Sequence, residues 1–592
     1  MMRKFTNVIL LNYSGFPEYT SYFLVENGLA YLAAILSKEG FKVSIRDYVT
    51  IDTAERLFPY EHAADLRKYR ALTRSQILNA GRVEDSVLQE VRSLEAEIDQ
   101  HSRGIVQDIA CEIEAEIMKF QADVLGIKLW SQPSLHDVIF ILDYLKARFP
   151  SLKMIAGGGH VDYFLEGTLK TISSLDAAAY ADGEVGFVGY LRALNGETRM
   201  EEVPNLIYRD LAGTIHTNRV QENPTFRTSD VYPLFDPETY PAMASESQKM
   251  KTIPFEDSRG CQYSCDFCAH PIKSGNKLRL REPQRVVEEI AFLNERYGFI
   301  HFTGSGSNTP FHHACSIYKE LHARGLDVAV NFFQSLRDFR IERADIMRRS
   351  HIPLFWVGVE TASQDLLNVS YHKKRSMERT REVCAFLNDA RIGYIMSLIY
   401  PSLGESEATT ADTIEFVREV GHGHIVIYPP LIQPRTPWMD SPHIQWLDRE
   451  SFIDVTQFGI EEVKNHVLPP MVTSEVLNGL LLINGGKTYR DIYYDNVRFR
   501  AELDRICAGV RGYKREFQYT EALEPFIQVL NDTFWTVDQS LDSGDFDAAR
   551  TAMIRFNNMA TAGSVAATAT ISVADMQQVE NPRVIMRTGG PA

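Results

Sequence analysis

Residues 258–271 read Ser258-Arg259-Gly260-Cys261-Gln262-Tyr263-Ser264-Cys265-Asp266-Phe267-Cys268-Ala269-His270-Pro271, and this stretch decides the fold. Its three cysteines follow a Cys-x3-Cys-x2-Cys spacing within one short loop. Three thiolates bind three irons of a [4Fe-4S] cluster and leave the fourth iron without a protein ligand. An open iron accepts a molecule that chelates it through an amine and a carboxylate, which suits S-adenosylmethionine.

The segments on either side of this loop set its context. Residues 252–255 are apolar and predict a strand, and residues 285–297 have a helical pattern. A strand, a three-cysteine loop and a helix in this order resemble the cluster loop of the radical S-adenosylmethionine superfamily. The resemblance implies three cluster ligands, Cys261, Cys265 and Cys268. It also implies that Phe267 shields the cluster from water.

Two other readings of the cysteines stay open. A zinc site made from the three thiols and His270 would be tetrahedral, although no second pair of ligands follows at the spacing of a zinc knuckle. A disulfide framework is disfavoured, because seven cysteines is an odd number and four of them are scattered, Cys111, Cys315, Cys384 and Cys507. Such usage indicates a reducing compartment.

Composition limits the class of protein. With 592 residues, 44% of them hydrophobic, the chain is long enough for roughly three or four domains. Its formal charge of −16 argues against a nucleic acid as partner, because phosphate binding needs a surplus of Lys and Arg. No apolar run reaches the ~18 residues of a membrane span, and residues 1–4 are too few for a signal peptide. We therefore expect a cytoplasmic protein with no membrane partner.

The first part of the chain alternates predicted strands and helices. The strands are 7–11, 42–47, 124–128 and 153–160, and the helices are 28–36 and 135–149. This alternation predicts a doubly wound, Rossmann-like parallel sheet. A charged segment at about 54–120 has Leu, Val and Ile at helical spacing and predicts an inserted helical pair.

The glycine run Gly157-Gly158-Gly159 lacks the spacing of a dinucleotide fingerprint. Together with residues 28–33, 181–184 and 203–209, it resembles the cobalamin-binding domain of one branch of the same superfamily. The resemblance implies that residues 1–208 bind cobalamin, with glycines that let the backbone approach the corrin ring. The candidate cobalamin contacts are Asn12, Tyr13, Ser14, Gly157, Gly158 and Gly159.

The lower ligand of cobalt is a departure from better-known cobalamin proteins. Those proteins carry an Asp-x-His-x-x-Gly motif, and this sequence has none. The resemblance therefore implies cobalamin without a histidine below the metal, with His62 and His160 as the residues to test. Residues 60–70 either cover that lower face or form a solvated helical face.

After a linker at 209–250, the alternation of strands and helices resumes. The predicted strands are 252–255, 300–303, 328–333, 354–359, 393–400 and 424–429. Six βα units fit the partial TIM barrel of the superfamily over residues 251–439, with the cluster loop at the carboxyl ends of the strands.

Several barrel residues are candidate contacts for S-adenosylmethionine. Glu360, the candidate catalytic residue, either accepts a hydrogen bond from this cofactor or caps the next helix. Asn331 and Gln334 are polar groups of the third strand. Gly304 and Ser305 belong to the loop 303–308, which lacks the acidic element of many relatives and so leaves the contacts to the methionine amine open.

Beyond residue 439 the sequence predicts a mainly helical C-terminal domain. Helical patterns cover 446–467 and 474–482. By resemblance, residues 440–559 cap the substrate, with Tyr493, Tyr494 and Trp535 as possible contacts. The Ala- and Thr-rich residues 560–592 are expected to form a flexible tail.

The resemblance implies a cobalamin-dependent radical S-adenosylmethionine methyltransferase. It would move methyl through methylcobalamin to a carbon of a small-molecule or peptide-natural-product precursor, with a flavodoxin or ferredoxin as reductant. Three alternatives remain: polar methylation of an indole such as tryptophan, a cobalamin-dependent radical cyclisation or rearrangement without methyl transfer, and a non-enzymatic cofactor carrier or sensor.

Overall fold

The computed structural model describes residues 4–130, 134–221, 231–274, 277–306, 308–420, 424–433, 435–446, 481–509 and 523–568. These residues form an N-terminal sheet domain, a partial barrel and a C-terminal region of helices with one small sheet. The predicted fold class is confirmed. None of the described helices is long and apolar enough to span a membrane.

The N-terminal domain is built on a seven-stranded sheet. Its strands are β1 Asn7–Asn12, β2 Lys42–Asp47, β3 Val124–Lys128, β4 Lys153–Gly157, β5 Ala177–Ala179, β6 Leu206–Arg209 and β7 Ile215–Thr217. The spatial order is β2-β1-β3-β4-β5-β6-β7, parallel from β2 to β5 and antiparallel beyond. The chain leaves β1 in opposite directions towards β2 and β3, and open α/β sheets bind ligands at the carboxyl ends of strands beside such a point.

Helices cover both faces of this sheet. They are α1 Asn27–Lys38, α2 Ile51–Leu57, α3 Ala63–Ala80, α4 Asp85–Phe120, α5 Leu135–Arg148, α6 Gly159–Phe164, α7 Glu166–Thr171 and α8 Gly183–Leu194. Along β1, Val8 and Leu10 enter one apolar core, whereas Ile9 and Leu11 enter another. A parallel strand buried on both faces reads as such a continuous apolar run.

The predicted insertion is a helical pair, α3 and α4. The two helices are joined after Gly81, which has a left-handed φ of 72°. Residues 60–70 are largely exposed, which favours the solvated helical face over a cofactor cover. Farther along the pair, Ile77 and Val83 pack against Tyr494 of the C-terminal region. The inserted helices of the N-terminal domain therefore also pack against the C-terminal region.

The sheet continues past residue 208, because β7 lies in the stretch expected to be linker. Residues 231–250 then pack along the domain. The Ile45 amide donates to the Thr239 carbonyl at 2.7 Å, and Lys249 Nζ lies 3.0 Å from Asp47 Oδ2 with both side chains buried. This part of the linker is thus fixed to the first sheet.

The barrel contains all six strands that the sequence predicted. They are β8 Ile253–Phe255, β11 His301–Gly304, the third strand in two halves as β12 Ala329–Asn331 and β13 Phe333–Gln334, then β14 Phe355–Glu360, β15 Tyr394–Ile399 and β16 His424–Tyr428. Two further short strands, β9 Ser258–Arg259 and β10 Arg279–Leu280, pair with each other between β8 and β11. They pair as β12-β11-β8 and β13-β14-β15-β16. The third predicted strand is interrupted at Phe332 and supplies one edge to each sheet.

Helices cover the outside of the barrel. They are α9 His270–Ser274, α10 Pro283–Tyr297, α11 Phe311–Ala323, α12 Asp345–Arg349, α13 Gln364–Val369, α14 Met377–Asp389 and α15 Glu407–Val420. In α10 a proline begins the helix and Gly298 ends it in a left-handed conformation, the usual asymmetry of helix ends.

The C-terminal region begins with a small sheet. Its strands are β17 Ile444–Trp446, β18 Leu481–Ile483 and β19 Lys487–Thr488, and its helices are α16 Tyr489–Gly509, α17 Glu524–Ser543 and α18 Phe546–Ala560. The predicted helix 474–482 is wrong at its end, because Leu481 begins a strand that pairs with β17. The remainder of that helix, and nearly all of the predicted helix 446–467, lie outside the described residues.

The hairpin of α17 and α18 covers the amino ends of the barrel strands. The Ile300 amide donates to the Ala560 carbonyl at 2.9 Å, and the His301 ring contacts Phe526 and Phe556. The cluster loop lies at the opposite end, so this hairpin does not cover it, and a substrate cap formed by residues 440–559 stays a prediction.

Among the described C-terminal residues, the small sheet and α16 lie at the carboxyl ends, where Ile444, Leu481 and Ile492 pack with Tyr371 and Trp438. Asn484 and Asn496 donate to the Ser402 and Tyr400 carbonyls there.

The predicted flexible tail is wrong for its first residues. Val565 and Thr568 are fully buried, and the Val565 amide donates to the Asp327 carbonyl at 3.1 Å. Residues 560–568 therefore complete the plug at the amino end of the barrel, because their few apolar side chains meet α17 and α18. Residues 569–592 lie outside the described part of the chain.

Candidate active site

The three cysteines lie in the loop between β9 and α9, at the carboxyl end of the barrel. Cys261 is buried, whereas Cys265 and Cys268 are partly exposed. A turn closes between the last two, where the Cys268 amide donates to the Cys265 carbonyl at 3.0 Å. The ladder between β9 and β10 closes the loop at its base. Local pairing therefore gathers the three thiols on one loop.

Charge and burial act on these thiols in opposite directions. Burial raises the pKa of all three, to about 11 for Cys265, and the ammonium of Lys373 opposes that rise. Among the described residues, no group of three or more His, Cys, Asp or Glu side chains is spaced to bind one metal ion. The zinc alternative with His270 gains no support from this geometry.

Glu360 ends β14 at an irregularity in the strand register. It has a φ of 61° and is 7% exposed. One carboxylate oxygen accepts from Lys373 and the other from the Ser397 hydroxyl at 3.3 Å. Lys373 also donates to the Gly358 carbonyl at 2.7 Å. The structure thus brings Glu360 to the cluster loop, and the first residues of α13 do not use it as a cap.

Phe267 belongs to an aromatic group beside the cysteines. Its ring centroid lies 5.5 Å from that of Tyr371 and 5.7 Å from that of Trp438. Both partners are nearly fully buried. The Trp438 indole donates to the Ser370 carbonyl at 2.8 Å, which fixes its orientation. These rings exclude water from one side of the cysteine loop.

Strand alternation separates the predicted polar contacts of the third strand. Asn331 pairs with Thr303, and the preceding Val330 enters the apolar core under the helices. Successive side chains of a strand point to opposite faces, so Asn331 faces the barrel lumen. Its Oδ1 atom is buried without a hydrogen-bond partner. This acceptor fits a bound S-adenosylmethionine.

Gln334 faces the other way. It pairs with Val357, which belongs to the core between strands and helices. Parallel neighbours in register share a face, so Gln334 points towards the core and not into the lumen. Its Oε1 and Nε2 atoms are buried without a hydrogen-bond partner, and its contact with a cofactor stays a prediction. The alternation itself continues through Phe332, which lies in the same core as Val330. Residues 331 and 334 are three positions apart, so they face opposite sides of the strand.

The loop 303–308 is glycine-rich for a packing reason. A Cβ atom on Gly306 would lie 2.0 Å from Ser258 Oγ and 2.9 Å from Asp257 Oδ1, and one on Gly304 would lie 3.1 Å from the same carboxylate oxygen. Asp257 is fully buried and accepts from the Thr309 hydroxyl at 2.7 Å. The loop therefore makes room for the carboxylate of Asp257, which lies between β8 and β9, and Gly304 serves this contact.

A cavity of about 500 Å³ lies between the first sheet and the barrel. Five glycines line it, Gly28, Gly126, Gly157, Gly158 and Gly183. A Cβ on Gly157 would meet only the Ala179 carbonyl, at 3.7 Å, so this glycine keeps the cavity open. The barrel contributes Pro254, Glu256, Arg259 and Ser305. The open, glycine-lined wall fits a large planar cofactor such as a corrin.

The first candidate cobalamin contacts differ in availability. Asn12 donates to Asp47 at 2.9 Å and accepts from the Trp130 indole at 2.9 Å, and the Tyr13 hydroxyl donates to Asp137 at 3.0 Å. Both side chains are almost fully buried and engaged internally, so their contacts do not support cofactor binding. Ser14 Oγ is buried without a partner and stays a candidate.

Gly159 begins α6 and faces α9. A Cβ there would lie 3.2 Å from Lys273 Nζ, and the same ammonium lies 5.1 Å from the Tyr163 ring centroid. Next to it, Asp162 lines the cavity and accepts from the Ala181 amide at 2.8 Å. Burial raises the pKa of Asp162 to about 7. Gly159 thus serves a contact between the sheet domain and the residues that follow the cluster loop.

Neither His62 nor His160 lines the cavity. His160 is fully buried against Phe164, and burial lowers its pKa to about 3. His62 lies 3.6 Å from Glu97 on the inserted pair. Cobalamin binding without a histidine below the metal stays a prediction.

Ion pairs link the cavity to the cluster loop. We call Asp182, Glu184, Glu256, Arg259 and Arg279 the charge frame. Arg259 Nη1 lies 3.1 Å from Asp182 and also binds Glu184, and its Nε donates to Glu256 at 2.5 Å. Arg279 Nη1 donates to Asp182 at 2.5 Å. All five side chains are at most 15% exposed.

The predicted substrate contacts of the C-terminal region do not converge. Tyr494 packs against the inserted helices, and Trp535 lies on α17, which covers the amino ends of the barrel. Tyr493 is 50% exposed on α16. Sequence reasoning missed Asp257 and the charge frame, although Asp182, Glu184 and Arg259 stood inside the segments that carried the resemblance.

Comparison with known proteins identifies one domain directly. Residues 255–417 match the Radical SAM superfamily. This stretch is a Radical SAM domain, as the cysteine loop predicted.

Among curated proteins, the chain is similar to an uncharacterised methyltransferase of Pyrococcus horikoshii, with 24% identity over 270 residues. That match covers 45% of this chain and 57% of the relative's length. It is also similar to cytidylyl-2-hydroxyethylphosphonate methyltransferase of Streptomyces wedmorensis, with 24% identity over 495 residues, 76% of this chain and 83% of the relative.

Among solved structures, the fold is similar to that of TsrM from Kitasatospora setae, a radical S-adenosylmethionine methyltransferase with cobalamin and a [4Fe-4S] cluster bound. The TM-score is 0.58 at 14% identity, covering 94% of this chain and 100% of TsrM. A further structure of TsrM holds tryptophan and an S-adenosylmethionine analogue. At this identity the match shows a shared fold.

Proposed function

We propose that this chain, whose residues 255–417 form a Radical SAM domain, is a cobalamin-dependent radical S-adenosylmethionine methyltransferase. Its acceptor would be a carbon of a small molecule or peptide-natural-product precursor. One observation carries the proposal: the glycine-lined cavity of the first sheet opens against Glu256, Arg259 and Ser305 of the barrel, beside the cysteine loop. Two cofactor sites of different chemistry thus lie next to each other.

The chain's own residues fit three bound groups. Cys261, Cys265 and Cys268 would bind a [4Fe-4S] cluster, Asn331 would accept a hydrogen bond from S-adenosylmethionine, and the cavity glycines would admit cobalamin. When bound, these groups supply electron transfer, a methyl source and a methyl carrier.

Other residues prepare the site. Lys373 places a positive charge near the thiols, and Glu360 orients that ammonium. Phe267, Tyr371 and Trp438 exclude water, which strengthens electrostatic interactions within the site. A flavodoxin or ferredoxin would supply electrons from outside.

The test is anaerobic reconstitution with iron, sulfide and cobalamin, followed by incubation with methyl-labelled S-adenosylmethionine and reductant. We expect four irons per chain, one bound cobalamin, and transfer of label to that cobalamin without added substrate. A reconstituted chain that binds cobalamin and never takes up label would contradict methyl transfer. It would favour a carrier, or a rearrangement whose product gains no methyl mass.

A second candidate is polar methylation of an indole, by the same cofactors without radical cleavage. The observation that favours it is the fold shared with TsrM along nearly the whole chain, since TsrM has been solved with tryptophan. Once a substrate is found, stoichiometry separates the routes. Radical methylation yields one 5′-deoxyadenosine per methylated product, whereas polar methylation yields S-adenosylhomocysteine alone. The lumen-facing Asn331 supports the radical route, because its unpartnered oxygen remains to hold S-adenosylmethionine.

A further inference from the structure

The cluster loop is attached to the sheet domain at both of its ends. Before the loop, Arg259 stands two residues ahead of Cys261 and binds two carboxylates at the start of α8. Asp182 precedes the helix, and Glu184 lies in its first turn. After the loop, Lys273 of α9 lies against Gly159 of α6. The loop is therefore held between two segments that follow the carboxyl ends of β4 and β5.

The first attachment is the stronger. β9 and β10 pair Arg259 directly with Arg279, and both guanidinium groups bind the carboxylate of Asp182. Asp182 follows Ala181, whose φ of 55° places the turn in a left-handed conformation. The Ala181 amide in turn donates to Asp162. A short chain of contacts thus runs from the cavity wall to the ladder that closes the cysteine loop.

The same side chains belong to both sites. Glu184, Glu256 and Arg259 line the cavity, and Glu256 and Arg259 belong to the segment that leads into Cys261. A displacement of the turn at Asp182 would move both the cavity wall and the base of the cluster loop. Because the frame is buried, breaking its ion pairs is costly, so the two movements are not independent.

We propose that Arg259 is a positioning residue that couples cluster binding to cobalamin binding, an inference that rests on the proposed function. Whichever cofactor binds first orders the turn and the loop together, so the second cofactor binds to a site that is already arranged. The coupling is positive and acts in both directions, because linkage between two sites is reciprocal.

The test compares cobalamin affinity in the full chain with and without its cluster, for wild type and for Arg259→Met. We expect wild type to bind cobalamin at least about fivefold more tightly when the cluster is present. In Arg259→Met this ratio should fall to about one, while four irons per chain are retained. Arg259→Lys, which keeps the charge, should restore part of the ratio. The matched control Arg285→Met removes an exposed pair with Glu288 and should leave the ratio unchanged.

The outcomes separate this inference from the proposed function. If wild type binds no cobalamin or no cluster, the proposed function fails. If it binds both with a ratio of one, or if Arg259→Met keeps the wild-type ratio, the function stands and the coupling is wrong. Should Arg259→Met not fold, Glu184→Gln, which weakens one pair of the frame, is expected to lower the ratio, and an unchanged ratio there overturns the inference.

Discussion

The charge frame and the barrel lumen differ in whether their buried polar groups have partners. In the frame every side chain has an oppositely charged partner, with Arg259 and Arg279 between three carboxylates. In the lumen, Asn331 Oδ1 is buried with no partner and the Phe333 side chain is 40% exposed. Buried polar groups are nearly always satisfied. The difference teaches that the charges of the frame are paired within the protein, whereas the lumen leaves the acceptor of Asn331 for a ligand.

The largest expected effect is the loss of the iron-sulfur cluster when the three loop cysteines are replaced. Replacing Cys261, Cys265 and Cys268 together by alanine should reduce iron and sulfide after reconstitution to background. The reason is that the loop 258–271 contains no other cysteine to bind iron. Iron and sulfide assays and the visible spectrum measure the loss. Cys111→Ala, at an exposed position, is the control and should keep the cluster. A four-iron spectrum in the triple variant would contradict the assignment.

The next effect breaks the frame. Arg279→Met removes one of two guanidinium partners of the buried Asp182, and loss of a partner from a buried ion pair costs about 3 kcal/mol or more. Chemical denaturation of the full chain measures the change. Arg348→Met removes an exposed pair with Asp389 and should cost about 1 kcal/mol or less. Equal losses in the two variants would mean that the frame contributes no more than a surface pair.

A smaller effect is expected in the lumen, where replacing Asn331 should weaken cofactor binding and hardly change stability. Asn331→Leu removes an unsatisfied buried acceptor, so stability should change by less than about 1 kcal/mol. Binding of S-adenosylmethionine should weaken by about tenfold, because the cofactor loses a hydrogen-bond partner. Equilibrium dialysis of the reconstituted chain gives the affinity. A variant that loses stability and binds normally would reverse the roles given to Asn331 and to the frame.

The smallest expected effect is none. His160→Ala should leave the electron paramagnetic resonance spectrum of bound cob(II)alamin unchanged, without nitrogen splitting from a lower ligand. His160 is fully buried against Phe164 and does not line the cavity. Nitrogen splitting in wild type that disappears in the variant would show that the sheet domain rearranges to bring this histidine to cobalt.

The elements and their order could be predicted from the sequence because each has a local cause. The six barrel strands, the doubly wound sheet and the inserted helical pair follow from apolar runs, glycines and helical spacing within short windows. The cysteine loop alone was enough to predict the Radical SAM domain. The predicted barrel strands agree with the observed bounds within a few residues.

Contacts of single side chains could not be predicted in the same way. Asn331 and Gln334 were both expected to meet the cofactor, yet Gln334 pairs with Val357 of the core and faces away from Asn331. Asn12 and Tyr13 are polar residues in a loop beside a ligand-binding edge, but Asp47, Trp130 and Asp137 engage them internally. The C-terminal hairpin was expected over the substrate and instead plugs the amino end of the barrel.

By itself, therefore, the sequence determined the three-cysteine loop, the two α/β domains and their order, because spacing and periodicity are properties of neighbouring residues. Only the tertiary structure decided that Asp182 and Arg259 meet, that the cavity opens against the cluster loop, and which end of the barrel the last helices cover. These contacts join residues tens to hundreds of positions apart. Their energies depend on burial and on partners that a local pattern does not specify.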